Sequence, residues 1–128
     1  MQNESQIFPL EKETFKIIGI CMEVHRTLGK GFLEIVYKDA IEYELKQNNI
    51  PFKREVEYAV KYKEITLAHK FYADFVIDAN IILEVKSQTA IHETYEAQIL
   101  NYLAVSKCKV GLVVNFAQPS LKFKRYIL

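Results

Sequence analysis

Apolar residues recur along this chain with two different periods. From about residue 10 to residue 28 they fall at Phe15, Ile18, Cys21/Met22, His25 and Leu28, a helical spacing punctuated by Gly29 and Gly31. A second helical stretch, about residues 33–48, turns Leu33, Val36/Tyr37, Ala40/Ile41 and Leu45 to one side and is broken by Asn48-Asn49-Ile50-Pro51. The period then drops to two. Val56, Tyr58, Val60 and Tyr62 alternate with Glu55, Glu57, Ala59, Lys61 and Lys63, as in a half-exposed strand. A turn near Lys63-Glu64 leads through residues 65–69 toward two apolar, β-branched runs, 71–77 and 81–85, which flank Asp78-Ala79-Asn80 and read as antiparallel strands joined by a tight turn. A third helix over residues 91–105 carries Tyr95, Ile99, Tyr102 and Leu103 on its apolar surface. Residues 110–116 form a continuous apolar strand of the kind buried inside a sheet, and 121–127 alternate like an edge strand carrying lysines. The predicted order is ααβββαββ: a mixed α/β sheet, antiparallel first, then extended through a crossover helix to a parallel strand, with helices on its faces.

The odd feature is charge inside the most apolar strands. Asp74, Glu84 and Lys86 interrupt runs that otherwise belong in the middle of a sheet, where an ionised group is expensive unless paired or bound to a metal. Glu84 and Lys86, two apart, point to one face, and Val85 points to the other. If the turn is the three-residue loop Asp78-Ala79-Asn80, Ile77 pairs with Ile81 and Asp74 falls opposite Glu84; a two-residue turn would send the acids to opposite faces. Two carboxylates about 5 Å apart repel by roughly 3 kcal/mol at an effective dielectric near 20, so a positive charge is expected between them. Lys86 is a partial answer and a divalent cation a fuller one.

Bulk properties narrow the classes. A chain of 128 residues, 50% hydrophobic and 26% charged, is read as one domain over residues 10–128 after a loose lead-in over 1–9. Cys21 and Cys108 lack CxxC or Cys/His spacing, which argues against zinc or a disulfide framework and fits a reducing cytoplasm. No signal-peptide pattern and no membrane-length apolar run is present. A net charge of +1 exerts no global pull on nucleic acid, although Lys107, Lys109, Lys122, Lys124 and Arg125 leave the last stretch basic with no acid among them. That edge suits phosphates and an ordinary solvated face equally well.

Three motifs in sequence order carry a resemblance. Gly31, Glu34 and Tyr37 match the GxxExxY signature, Asp74 is followed ten positions later by Glu84-Val85-Lys86, and the next helix carries Gln98 and Tyr102. Together these resemble the PD-(D/E)XK nuclease superfamily, in its RecB-like branch with a QxxxY helix, and within it the GxxExxY protein family. The likeness runs from about Ile17 through Arg125; Ala73 stands where the motif's name has proline, a departure that does not touch the chemistry.

The resemblance implies a restriction-endonuclease-like core and metal-dependent hydrolysis of nucleic-acid phosphodiester bonds, DNA before RNA. In its terms Asp74 and Glu84 ligate Mg²⁺ or Mn²⁺, with Val85 lending its carbonyl and Glu34 completing the shell. Lys86, held protonated by its acidic neighbours, orients the attacking water or stabilises the pentacovalent state, and Gln98 and Tyr102 hold the site or touch the scissile strand. The alternative is a catalytically inactive module of the same fold that binds nucleic acid or a protein partner. Residue by residue the plainer readings are a structural ion pair for Asp74 and Glu84, a dipole-favoured helix-start residue for Glu34, and helix surface and core for Gln98 and Tyr102. Tyr37 reads as packing, His25 as a satisfied core histidine, and the edge strands leave a homo-oligomer open.

Overall fold

The computed structural model describes residues 9–89 and 93–128. The expected lead-in, Pro9 apart, therefore lies outside the described residues, as do residues 90–92 at the entry to the third helix.

The elements follow the predicted order. Helices α1 (Glu11–Leu28) and α2 (Glu34–Gln47) precede strands β1 (Phe52–Tyr62), β2 (Ile65–Ile77) and β3 (Ile81–Lys86); helix α3 (Glu93–Ser106) then leads to β4 (Val110–Asn115) and β5 (Lys122–Tyr126). The sheet order is β1-β2-β3-β4-β5. Every neighbouring pair is antiparallel except β3–β4, which α3 connects in parallel. Residues 65–69, expected to run toward the central strand, are its first half, so β1 and β2 make one long hairpin.

The sheet has a core on each face. Tyr37, Ile41 and Leu45 of α2 join Ile17, Cys21 and Val24 of α1 over Phe75, Ile77, Leu83, Val85, Leu112 and Val114. On the other side Ile99, Tyr102 and Leu103 of α3 lie on Ala73, Val76, Ile82 and Val113. The contact between α3 and β4 is close because Gly111 has no side chain: a Cβ there would stand 2.5 Å from Ile99 Cγ1. Burial of β3 and β4 on both faces explains why these strands read as unbroken apolar runs. Both cysteines are free and buried, and burial pushes the Cys21 thiol up to about 12.

Two details of the inward stripes differ from the sequence reading. Phe15 is 74% exposed and Met22 lies at the surface, while Thr14, Ile17, Ile18, Cys21, Val24 and His25 face inward. Apolar residues are spread around most of α1, so periodicity alone admits more than one stripe and packing against α2 and the sheet selects it. Leu33, expected on the inner face of α2, is an exposed N-cap with extended backbone (φ −67°, ψ 153°), hence outside the helical period. His25 is buried as expected, its Nε2 2.9 Å from the Gln118 carbonyl oxygen and its ring stacked on Phe116.

Candidate active site

The site forms where β2 and β3 part. From the turn at Asp78-Ala79-Asn80 the strands pair Ile77 with Ile81, Val76 with Ile82 and Phe75 with Leu83, the three-residue-loop register that aims Asp74 at Glu84. There the backbone ladder stops and side chains take over. The Asp74 N–H donates to Glu84 Oε2 at 2.7 Å, and the Val85 N–H donates to Asp74 Oδ2 at 2.8 Å. Each carboxylate thus accepts a backbone N–H of the opposite strand just past the last paired residues. Val85 itself turns its side chain into the opposite core.

The same position is irregular toward β1. Arg54 and Phe75 share the α1–α2 face, with the guanidinium 5.7 Å from the ring centroid, whereas the next paired residues, Val56 and Ala73, pack on the α3 face. Residues two apart in a strand ordinarily share a face. Both strands therefore switch faces between these pairs, and the residues left between are Glu55, at φ 53°, and Asp74. Their carboxylates converge on Lys38 of α2, whose ammonium lies 2.7 Å from Glu55 Oε1 and 3.1 Å from Asp74 Oδ1.

Burial sets the electrostatics. Glu84 is 3% exposed, and desolvation followed by the charge of Asp74 pushes its carboxyl up to about 8 against the pull of the Asp74 N–H, Lys86 and Lys38. Burial works against the Lys38 charge, but its hydrogen bond to Glu55 and the charge and hydrogen bond of Asp74 outweigh that and raise its pKa. The positive charge foreseen between the acids is thus supplied at Asp74 by Lys38, not Lys86. The Lys86 ammonium instead donates to Gln98 Oε1 at 3.2 Å and sits 4.7 Å from the centroid of Tyr95. The helical neighbour of Gln98, Tyr102, donates its hydroxyl to the Tyr72 carbonyl at 3.0 Å; burial first, then the charges of Glu84 and Asp74, push that phenol up to about 12.

Glu34 reaches the same end of the sheet by another route. Tyr37 is fully buried and stacked on Phe116 at 4.2 Å, and its hydroxyl donates to the Gly29 carbonyl at 2.7 Å while accepting the Phe32 N–H at 3.2 Å. These bonds close the α1–α2 loop, in which Gly31 holds φ 108°, a conformation that favours glycine. The loop delivers Glu34 as the first residue of α2, where its Oε2 accepts the Ser87 N–H at 3.1 Å. Buried Asn115, at the end of β4, accepts from the Gln88 N–H and donates to the Gln88 carbonyl, fixing the segment that follows Lys86.

The structure therefore brings together Asp74, Glu84 and the Val85 amide, and sets Lys86, Gln98 and Tyr102 along the α3 side. Glu34 is engaged with the Ser87 backbone. Among the described residues no three His, Cys, Asp or Glu side chains form a ready-made metal cage. Asp74 and Glu84 nonetheless suit a hard divalent ion: Mg²⁺ takes one or two carboxylates and keeps several waters, and a buried acid short of counter-charge favours a cation. The sequence reading missed Lys38, Glu55, Tyr95 and Asn115. Only Asn115, a polar residue ending an apolar run, left a local signal.

Comparison with known proteins agrees with this architecture. No curated protein matches the sequence. A solved structure titled "Crystal structure of SSO0001" superposes with a TM-score of 0.58 at 19% identity, covering 72% of this chain and 48% of that one. This chain thus spans about half the length of that structure, and the likeness is one of fold. Residues 11–126 match the family described as the PD-(D/E)XK nuclease superfamily, nearly the whole length that carries the split strands, the paired acids and the following lysine. The chain belongs to the PD-(D/E)XK nuclease superfamily.

Proposed function

We propose that this chain is a nuclease that hydrolyses phosphodiester bonds, DNA before RNA, with Mg²⁺ or Mn²⁺ held by Asp74 and Glu84. The observation that carries the reading is the pair of reciprocal N–H to carboxylate bonds between β2 and β3, which commits two acids to a place where one is too buried to ionise freely. A divalent ion bound there supplies charge neutralisation and activation of a water. The backbone N–H groups of Asp74 and Val85 fix the two carboxylates, so their remaining lone pairs are pre-oriented. Gln98 and the Tyr95 ring hold the Lys86 ammonium beside them, available to a phosphate oxygen or to the attacking water. Glu34, whose Oε2 accepts the Ser87 N–H, supports the end of β3 and is the further acid assigned to the metal shell.

Within the superfamily we assign the chain to the GxxExxY family of the RecB-like, QxxxY branch, on Gly31, Glu34 and Tyr37 before the acids and Gln98 and Tyr102 after them. We read residues 10–128 as one domain, and the two free cysteines suit a reducing cytoplasm. No helix among the described residues is long and apolar enough to cross a membrane.

The test is cleavage of circular and linear DNA by purified protein with Mg²⁺, with Mn²⁺ and with chelator. Asp74→Ala, Glu84→Ala and Lys86→Ala should each abolish metal-dependent cutting while the circular dichroism spectrum is kept. Cutting that survives all three places the activity elsewhere. A second reading, a binding module without turnover, draws on the ammonium already seated on Asp74. Calorimetry showing nucleic-acid binding with no uptake of Mg²⁺ or Mn²⁺ would favour it.

A further inference from the structure

Lys38 has no part in the hydrolytic reading, yet its ammonium is paired with Asp74. Its side chain is 13% exposed and Asp74 15%, whereas the other prong of the fork, Glu55, is 50% exposed. Glu55 sits at φ 53°, a left-handed conformation unusual for a glutamate inside a strand. Lys86, two positions from Glu84, makes no ion pair with either acid among the described residues; Gln98 and Tyr95 occupy it. The Asp74 charge is therefore balanced by a residue from a different layer of the fold, which has a second acid at its far side, nearer solvent.

We propose that Lys38 is the resident counter-ion of the acid pair and a positioning residue that sets its metal affinity. Its ammonium stands on Asp74 when no divalent ion is bound, and Glu55 is the acid that retains it when a divalent ion takes Asp74. The proposal rests on the reading of Asp74 and Glu84 as metal ligands. Two consequences follow from charge alone. An ammonium 3.1 Å from Asp74 weakens any divalent ion there, because a charge of +1 at contact range opposes one of +2. A partner 2.7 Å away on Glu55 limits that opposition, because Lys38 can leave Asp74 and still keep an acid.

The experiment measures Mn²⁺ affinity of metal-free protein by titration calorimetry, with free Mn²⁺ followed by electron paramagnetic resonance. Lys38→Met keeps the aliphatic stem and removes the charge, and should bind Mn²⁺ on the order of tenfold more tightly than wild type. Lys38→Gln is the parallel variant should the methionine form fail to fold, and should move the same way. Glu55→Gln should weaken Mn²⁺ binding about threefold in the wild-type background and change it less than about twofold beside Lys38→Met, where no ammonium is left to hold. Affinity unchanged or lowered in both Lys38 variants would overturn the assignment, leaving Lys38 as a support for Asp74. An equal Glu55→Gln effect in both backgrounds would overturn it too, as a matter of long-range charge. Asp74→Asn and Glu84→Gln separate the two levels. If wild-type binding survives these changes, the metal reading itself fails; if they remove it while the Lys38 variants bind like wild type, only the role given to Lys38 fails.

Discussion

Replacing Glu84 by glutamine should stabilise the metal-free protein, and more so as pH rises. The side chain is 3% exposed and faces the charge of Asp74, and its carboxyl is carried from 4.5 to about 8 on folding. That difference disfavours the ionised form by roughly 5 kcal/mol. An effective dielectric near 20, rather than that of a dry interior, brings the expected gain to about 2–3 kcal/mol. Glutamine is the right probe because its amide oxygen can still accept the Asp74 N–H that Glu84 Oε2 accepts at 2.7 Å. The sign follows from the raised pKa. Below pH 4.5 both proteins carry a neutral group and should melt alike. As pH rises from 4.5 through about 8 the wild type loses stability that the variant keeps, and above 8 the difference is full. For a chain of this length the gain amounts to a midpoint shift on the order of 10 °C. Thermal melts followed by far-UV circular dichroism in chelator at pH 5, 7 and 9 measure it. Saturating Mn²⁺ should reverse the order, because ion binding stabilises the wild type and not the variant. A variant less stable than wild type at pH 9 without metal, or a difference that does not change with pH, would refute the reasoning.

Two further changes probe the scaffold. Tyr37→Phe removes a hydroxyl that bonds both Gly29 and Phe32 and should cost about 1–2 kcal/mol in chemical denaturation, with faster amide exchange confined to the α1–α2 loop; unchanged exchange at Phe32 would count against the loop's dependence on that hydroxyl. Gly111→Ala places a methyl 2.5 Å from Ile99 Cγ1 and should cost about 1–3 kcal/mol by forcing α3 off β4, read as a lower urea midpoint; a neutral result would mean that Ile99 has free rotamer space.

The parts of the site legible in the sequence are those governed by strand alternation. Asp74, Glu84 and Lys86 stood out as charges in apolar runs, and the three residues between Ile77 and Ile81 fixed the register that sets the acids across from each other. The helix–strand order was equally legible, because the crossover from β3 to β4 forces a helix between two buried parallel strands. Lys38 was not legible. It sits on an exposed-looking turn of α2, and only the approach of that helix to the β1–β2 face switch brings it to Asp74. Nor does any local rule announce that Glu55, which reads as one more polar residue in an alternating strand, takes a left-handed backbone. The inward stripe of α1 departs from the periodic expectation at Phe15 and Met22 for a related reason: a helix with apolar residues on most sides leaves the choice of face to its neighbours.

The most direct test of the account is a crystal soaked in Mn²⁺, measured at the manganese absorption edge. One anomalous peak is expected within coordination distance of Asp74 and Glu84, with the Lys38 ammonium shifted from Asp74 toward Glu55. A fully soaked crystal with no peak at these acids, or a peak only at surface carboxylates, would contradict it.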